Sequence, residues 1–356
     1  MTSVSPEPET LSAAPMMDAG GAERAAPSGR KRVWFFIKLV VTVGLIGWIL
    51  TQVDWVEFWN HLVSFQWWVI AVVMLIWALA LSVSVVKWQQ LLRVHGLHYP
   101  LGLLHRWYFI SYFLSQFLPS IIGGDAFRIY KTLQNGKHRA CAVLPVFVER
   151  ASGLLALLML GAVSAVIDWQ ATGREFSFWA TVVSAAGAAA GVLGLVVVGG
   201  SRLDRRLVTW KRCPSALRSL HEHSADYFTH PRQIIIAAVI SFVFHAMRVM
   251  VYWLFLFGLG YETSFFAVAV VTAATTVIGM LPISLGGYGL VDGSFMACMV
   301  FYGVPTEVGL TVMLMTRVTS LPVAVVGGVL YSLERSGDHG PAARAEAGRP
   351  EPRAAV

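Results

Sequence analysis

The sequence predicts an all-α polytopic membrane protein, with about six full transmembrane helices and two re-entrant or broken helical elements arranged as an inverted-topology repeat. Three observations predict it. Hydrophobic residues make up 56% of the 356 positions and charged residues only 13%, far from the mix of a soluble domain. Several apolar runs approach or exceed the roughly 18 residues that a helix needs to cross a bilayer while satisfying its own backbone. Finally, Leu-Pro-x-x-x-Gly-Gly is spelled twice, as LPSIIGGD from Leu118 to Asp125 and LPISLGGY from Leu281 to Tyr288, beside apolar runs where proline and paired glycine are poor helix residues.

Residues 1–29, rich in Pro, Ala, Ser, Gly and Glu without a basic cluster leading an apolar core, are expected to be a disordered cytoplasmic tail and no cleaved signal. The transmembrane domain is placed at 30–335, and residues 336–356 repeat the tail's character. Full spans are expected at about 33–52, 67–86, 141–167, 177–198, 233–257 and 306–331. Regions 104–124 and 265–303 hold the two Leu-Pro motifs.

Basic residues orient these elements. Arg30, Lys31 and Arg32 before the first span put the N-terminus in the cytoplasm and the loop with Asp54 and Glu57 outside. The second span returns inside, to Lys87, Arg93 and Arg106. Were region 104–124 to cross, Arg128, Lys131, Lys137 and Arg139 would lie outside, so it is expected to dip in and return. The basic linker 201–232 then falls in the cytoplasm, where its Trp210, Tyr227 and Phe228 suit a membrane surface. Region 265–303 must enter from outside and return, as a re-entrant hairpin or as two tilted short helices. Two halves follow, about 33–167 and 177–333, of opposite orientation because each holds an odd number of crossings. Interrupted segments at corresponding positions of such halves point to a midplane substrate site.

Irregular backbone at membrane depth must be buried in protein or line a cavity. A helix starting after Gly123-Gly124, or after Gly286-Gly287, would offer free N–H groups to an anion such as a lipid phosphate; close helix packing through small residues is the other use of such glycines. Deep charges are costly and therefore informative. Glu149 and Arg150 lie about 12–14 Å into their span, Arg317 roughly 17 Å and Arg248 about 22 Å, with His245 one turn before it. Three arginines against one deep carboxylate leave cationic charge for Asp125, Asp292 or a bound anion to balance. Glu149 and Arg150 fit either an ion-pair network or a substrate path. Arg128 and Lys131 share a helix face at the cytoplasmic mouth, suiting a headgroup rim or a positive anchor.

Other chemistries find little support. Cys141, Cys213 and Cys298 suggest neither a disulfide framework nor a metal site, and no cofactor is implied. The formal net charge of +7 reports membrane orientation here, and no nucleic-acid partner is expected. No Gly-x-Ser-x-Gly, His-Glu-x-x-His or phosphate-binding loop occurs, and His221-Glu222-His223 lacks the i, i+4 histidine pair of a helical metal site.

Together, FLPSIIGGDAFRIYK (Phe117 to Lys131), VERASGL (Val148 to Leu154) and LPISLGGYGLVDGSF (Leu281 to Phe295) make the chain similar to the lysylphosphatidylglycerol synthase transmembrane-region family of flippase-like proteins, from about residue 33 to 333. The resemblance implies movement of a lipid or lipid-linked molecule between leaflets of a bacterial inner membrane. It places Gly123, Gly124, Asp125, Arg128, Glu149, Arg150, Gly286, Gly287, Tyr288 and Gly289 at the functional centre, with Asp292 where many relatives carry glutamate. The expected partners are membrane lipids: phospholipid, aminoacyl-lipid, glycolipid or hopanoid. With no soluble aminoacyl-transferase segment expected in the chain, a stand-alone translocase is the leading reading, and an anionic headgroup would pass along Arg150, Arg248 and Arg317. A lipid-modifying transferase component, or an accessory subunit acting beside a separate synthase, are the alternatives. Without a nucleotide motif, movement is expected to be downhill or ion-coupled.

Overall fold

A computed structural model describes residues 29–117, 122–134, 139–200, 224, 226–227, 229–281, 283–284 and 287–337. Residues 1–28 and 338–356 of the predicted tails, most of the linker 201–232, Leu118, Pro119, Pro282 and Gly286 lie outside these residues. The described residues form eleven helices and no strand. These are α1 Gly29–Thr51, α2 Trp55–Ser64, α3 Trp68–Val94, α4 Leu101–Phe117, α5 Ile122–Leu133, α6 Arg139–Thr172 and α7 Glu175–Gly200, then α8 Pro231–Gly258, α9 Phe265–Gly279, α10 Leu290–Val300 and α11 Thr306–Gly337.

Five helices, α3, α6, α7, α8 and α11, are long and apolar enough to cross a membrane, or six spans if α1 with α2 counts as one bent span. Each predicted full span therefore coincides with a helix. Both ambiguous regions are broken: α4 folds back on α5, and α9 on α10. The second holds two short apolar helices, α9 and α10.

Three expectations need correcting. Residues 54–57 open a helix, since the Asp54 carboxylate accepts the N–H groups of Val56 at 2.8 Å and Glu57 at 3.2 Å as an N-cap. That helix, α2, turns 82° from α1. Its Trp55, Val56, Trp59 and Val63 are exposed. Second, α3 does not stop near 86 but runs to Val94, because Trp88, Leu91 and Leu92 continue its buried face. Lys87 is consequently on the buried face of α3 inside the bundle, 6% exposed, and not beyond the helix end. Third, Gly123-Gly124 lie within the first turn of α5 instead of preceding it, while Arg128 and Lys131 stand on that helix as expected.

The main core joins α3, α8, α9, α10 and α11 through side chains such as Val73, Phe255, Val268, Phe295 and Val312. A smaller core of Val85, Trp88, Leu92, Leu104 and Trp107 ties α3 to α4. Between helices in lipid, close fit matters more than exclusion of water, and small residues supply it. A Cβ at Gly327 of α11 would run into the Phe109 carbonyl of α4, and one at Gly161 of α6 would meet Ala273 of α9. The hairpin arm α4 thus lies tight on α11, and the arm α9 on α6.

Candidate functional site

Two ion-pair clusters are built on the two broken elements. In the first, α5 carries Asp125 and Arg128 one turn apart, and α6 carries Glu149 and Arg150. Arg128 donates to Asp125 Oδ1 at 2.6 Å and to Glu149 Oε2 at 2.7 Å. Its guanidinium lies over the rings of Trp88 and Tyr108, with centroids 5.1 and 4.6 Å away, an arrangement that stabilises a cation. Tyr108 donates its hydroxyl to the other Glu149 oxygen at 2.9 Å, and Lys87 Nζ donates to the Glu149 backbone carbonyl at 2.7 Å. Glu149 is therefore held from three sides and buried. Glu149, left open between network and path by the sequence, stands in an ion-pair network, and Arg150 joins that network through Asp125.

Arg150 behaves differently. It reaches Asp125 through Nε and Nη2, both at 3.1 Å, yet its side chain is 57% exposed. It lines a cavity of about 300 Å³ together with Asp125 and Arg128. Further wall comes from Tyr108, Ser111, Tyr112 and Ser115 of α4, from Trp77 and Leu81 of α3, and from Phe244 of α8 and Val323 of α11. Elements of both halves of the chain thus enclose it. The α5 backbone gets close enough to form this wall only because residue 124 is glycine: a Cβ there would collide with the Ser111 carbonyl and Ser115 Oγ.

In the second cluster, Asp292 stands in the first turn of α10 and Arg317 midway along α11. Arg317 donates Nε and Nη2 to Oδ1 at 3.1 and 2.8 Å, and Nη2 also to Oδ2 at 2.7 Å. The Gly289 N–H caps the same carboxylate at 2.8 Å. Tyr288 lies under the guanidinium with its centroid 4.0 Å away. This turn needs its glycines, since Gly287 and Gly289 adopt φ of 81° and 77°, which other residues rarely reach. A Cβ on Gly289 would also stand 2.8 Å from Leu45 Cβ of α1.

Polar residues of α4 and α11 meet beside the cavity. Gln116 donates to Tyr112 Oη and to Ser320 Oγ, each at 3.4 Å, and Ser320 donates to the Arg317 carbonyl at 2.7 Å. Arg248 stands apart from both carboxylate pairs and donates to Thr276 of α9 at 2.9 Å. At another edge of the bundle, Glu334 of α11 pairs with Arg106 at 3.3 Å and with Lys131, so Lys131 ties α5 to α11.

Lys87, Trp88, Tyr108, Tyr112 and Gln116 were not singled out from sequence. Apolar Leu91 and Leu92 beyond Lys87 were the available sign that α3 continues. The polar positions of α4 resemble any half-exposed helix until their neighbours are known.

Over residues 35–328 the chain matches the family described as Lysylphosphatidylglycerol synthase TM region. Among curated proteins it is similar to a UPF0104 membrane protein of Methanothermobacter thermautotrophicus, at 26% identity over 125 residues, 35% of this chain and 36% of that protein. The similarity thus spans little more than a third of that relative. The family match takes in both broken elements and both ion-pair clusters, and the chain belongs to the lysylphosphatidylglycerol synthase transmembrane-region family of multi-pass membrane proteins.

Proposed function

We propose that this protein is a flippase-like translocase, moving a lipid or lipid-linked molecule with an anionic headgroup between leaflets of the bacterial inner membrane. One observation carries the reading: Arg150, a half-exposed cation, lines a cavity whose wall combines hydroxyl side chains such as Ser111, Tyr112 and Ser115 with apolar ones such as Leu81, Phe244 and Val323. A guanidinium held by one carboxylate and still half-exposed to the cavity can also serve an anion that arrives with its own apolar tail. Substrate contact is assigned to Arg150 and Arg317, Arg248 is placed beside the path, and Arg128 with Glu149 holds the cavity wall.

An inverted repeat of the two halves supplies the mechanism in this reading, by rocking one half against the other around a shared site. Two features support it. The arm before each break packs on the last long helix of the other half, α4 on α11 and α9 on α6. Each half also pairs an aspartate after its break with an arginine 25 residues later, Asp125 with Arg150 and Asp292 with Arg317.

The test is reconstitution of the purified protein in liposomes carrying reporter lipids with different headgroups, following loss of leaflet protection. Anionic reporters are expected to cross faster than in empty liposomes, and Arg317→Ala to abolish the difference. If no headgroup moves faster than in empty liposomes, translocation is wrong.

A further inference from the structure

We propose that Asp125 and Asp292 are stand-in anions: each occupies the guanidinium that takes the phosphodiester of the cargo, and yields it when that phosphodiester arrives. The proposal rests on the translocation reading and names its substrate chemistry. The two sites match in construction. Arg150 and Arg317 are the partly exposed arginines of their clusters, with side chains 57% and 33% exposed, and each presents Nε and Nη2 to a single carboxylate. A guanidinium fork fits two oxygens of a carboxylate or of a phosphodiester equally well, so one can replace the other without rebuilding the site.

Exchange needs an aspartate that survives losing its arginine, because an unpaired buried carboxylate is expensive. Both aspartates have that second hold. Asp125 keeps Arg128 at 2.6 Å, and Arg128 is fixed by Glu149 and two rings. Asp292 keeps the Gly289 N–H at 2.8 Å. Arg150 and Arg317 are thus the separable members of their clusters.

Charge and shape point to a phosphodiester. The first cluster sets Lys87, Arg128 and Arg150 against Asp125 and Glu149, and the single excess positive charge matches the single negative charge of a phosphodiester. A carboxylate is flat and uses the plane of the fork, whereas a tetrahedral phosphodiester also presents acceptors out of that plane. The hydroxyls of Ser115 and Tyr112 line the same cavity and can donate to them. From Tyr112 the pairs to Gln116 and Ser320 lead to the residue that carries the second guanidinium. Between the two guanidinium stations lie the neutral hydrogen-bonding side chains of Tyr112, Gln116 and Ser320.

The experiment measures binding to the full chain in detergent by native mass spectrometry. The probes are phosphatidylglycerol, dioleoylglycerol as its neutral counterpart, and glycerophosphoglycerol as the phosphodiester without chains. Asp125→Asn and Asp292→Asn are each expected to bind phosphatidylglycerol about tenfold tighter than the wild type, the effect of one charged competitor removed. Arg150→Gln and Arg317→Gln are expected to weaken it, dioleoylglycerol to be indifferent to all four, and glycerophosphoglycerol to compete. Equal or weaker binding of phosphatidylglycerol by folded Asn variants overturns the proposal, as does failure of glycerophosphoglycerol to compete. Should Asp125→Asn fail to fold, Asp292→Asn decides alone, since asparagine still accepts the Gly289 N–H. Lipid movement in liposomes without tighter Asn variants sinks the exchange and leaves translocation standing; tighter variants without lipid movement do the reverse.

Discussion

Arg128 and Arg150 share the carboxylate of Asp125, yet the side chain of the first is 2% exposed and that of the second 57%. One aspartate thus serves a fixed cation and a cavity-facing cation at once. The consequence for mutation is an asymmetry between two residues of the same type on adjacent helices.

Arg128→Gln strands the buried Glu149 carboxylate, and removing one partner of such a pair costs about 3–5 kcal/mol. Arg150→Gln removes a half-exposed pair, worth at most about 1 kcal/mol. Thermal unfolding in detergent is expected to show a large drop for the first variant and a small one for the second. On the translocation reading, the second variant is expected to stay folded and to stop lipid movement in liposomes.

Tyr108→Phe leaves Glu149 Oε1 without its hydroxyl donor while keeping the ring beneath Arg128. A hydrogen bond to a charged group contributes about 1.5–3 kcal/mol, and the melting temperature is expected to fall accordingly. Tyr108→Leu removes the ring as well and falls further.

At the second break, Tyr288→Phe preserves the face on which Arg317 rests, whereas Tyr288→Leu removes an interaction worth about 0.5–2 kcal/mol. Phenylalanine is expected to retain wild-type melting and lipid movement, and leucine to lose part of both.

Gly124→Ala drives a Cβ into the Ser111 carbonyl, a backbone atom that cannot swing away, so α5 must shift from α4 and the cavity wall opens. Gly102→Ala, on the same hairpin but with open space around it, is the control and is expected to gain up to about 1 kcal/mol from helix propensity. Melting curves of the two variants should move in opposite directions.

Orientation has its own check. A reporter fused near residue 136 is expected to report the cytoplasm and one near Glu262 the outside; reversed signals would overturn the placement drawn from the basic residues.

Much of the helical framework was legible because apolar length is a local property: every expected span is a helix, and both Leu-Pro motifs fall where helices break. What escaped depended on relations between helices. Lys87 read as an exit from the membrane because its charge is visible in sequence and its acceptor, the Glu149 carbonyl 62 residues away, is not. The pairing of Arg317 with Asp292 and of Arg150 with Asp125 follows from helix rotation, which a list of deep charges does not contain. Helix α2 did have a local sign, Asp54 capping a segment with apolar Trp55, Val56, Trp59 and Val63 at helical spacing, but it stood in a place assigned to a loop.

Gly327 seats directly on the Phe109 backbone, with the Phe113 side chain packed against Gly327 and Gly328 beside it, so α4 and α11 meet without slack. On the translocation reading, a swing of α4 that widens the Arg150 cavity is expected to displace α11, and with it Arg317, so the moving unit groups each broken arm with the long helix it packs on.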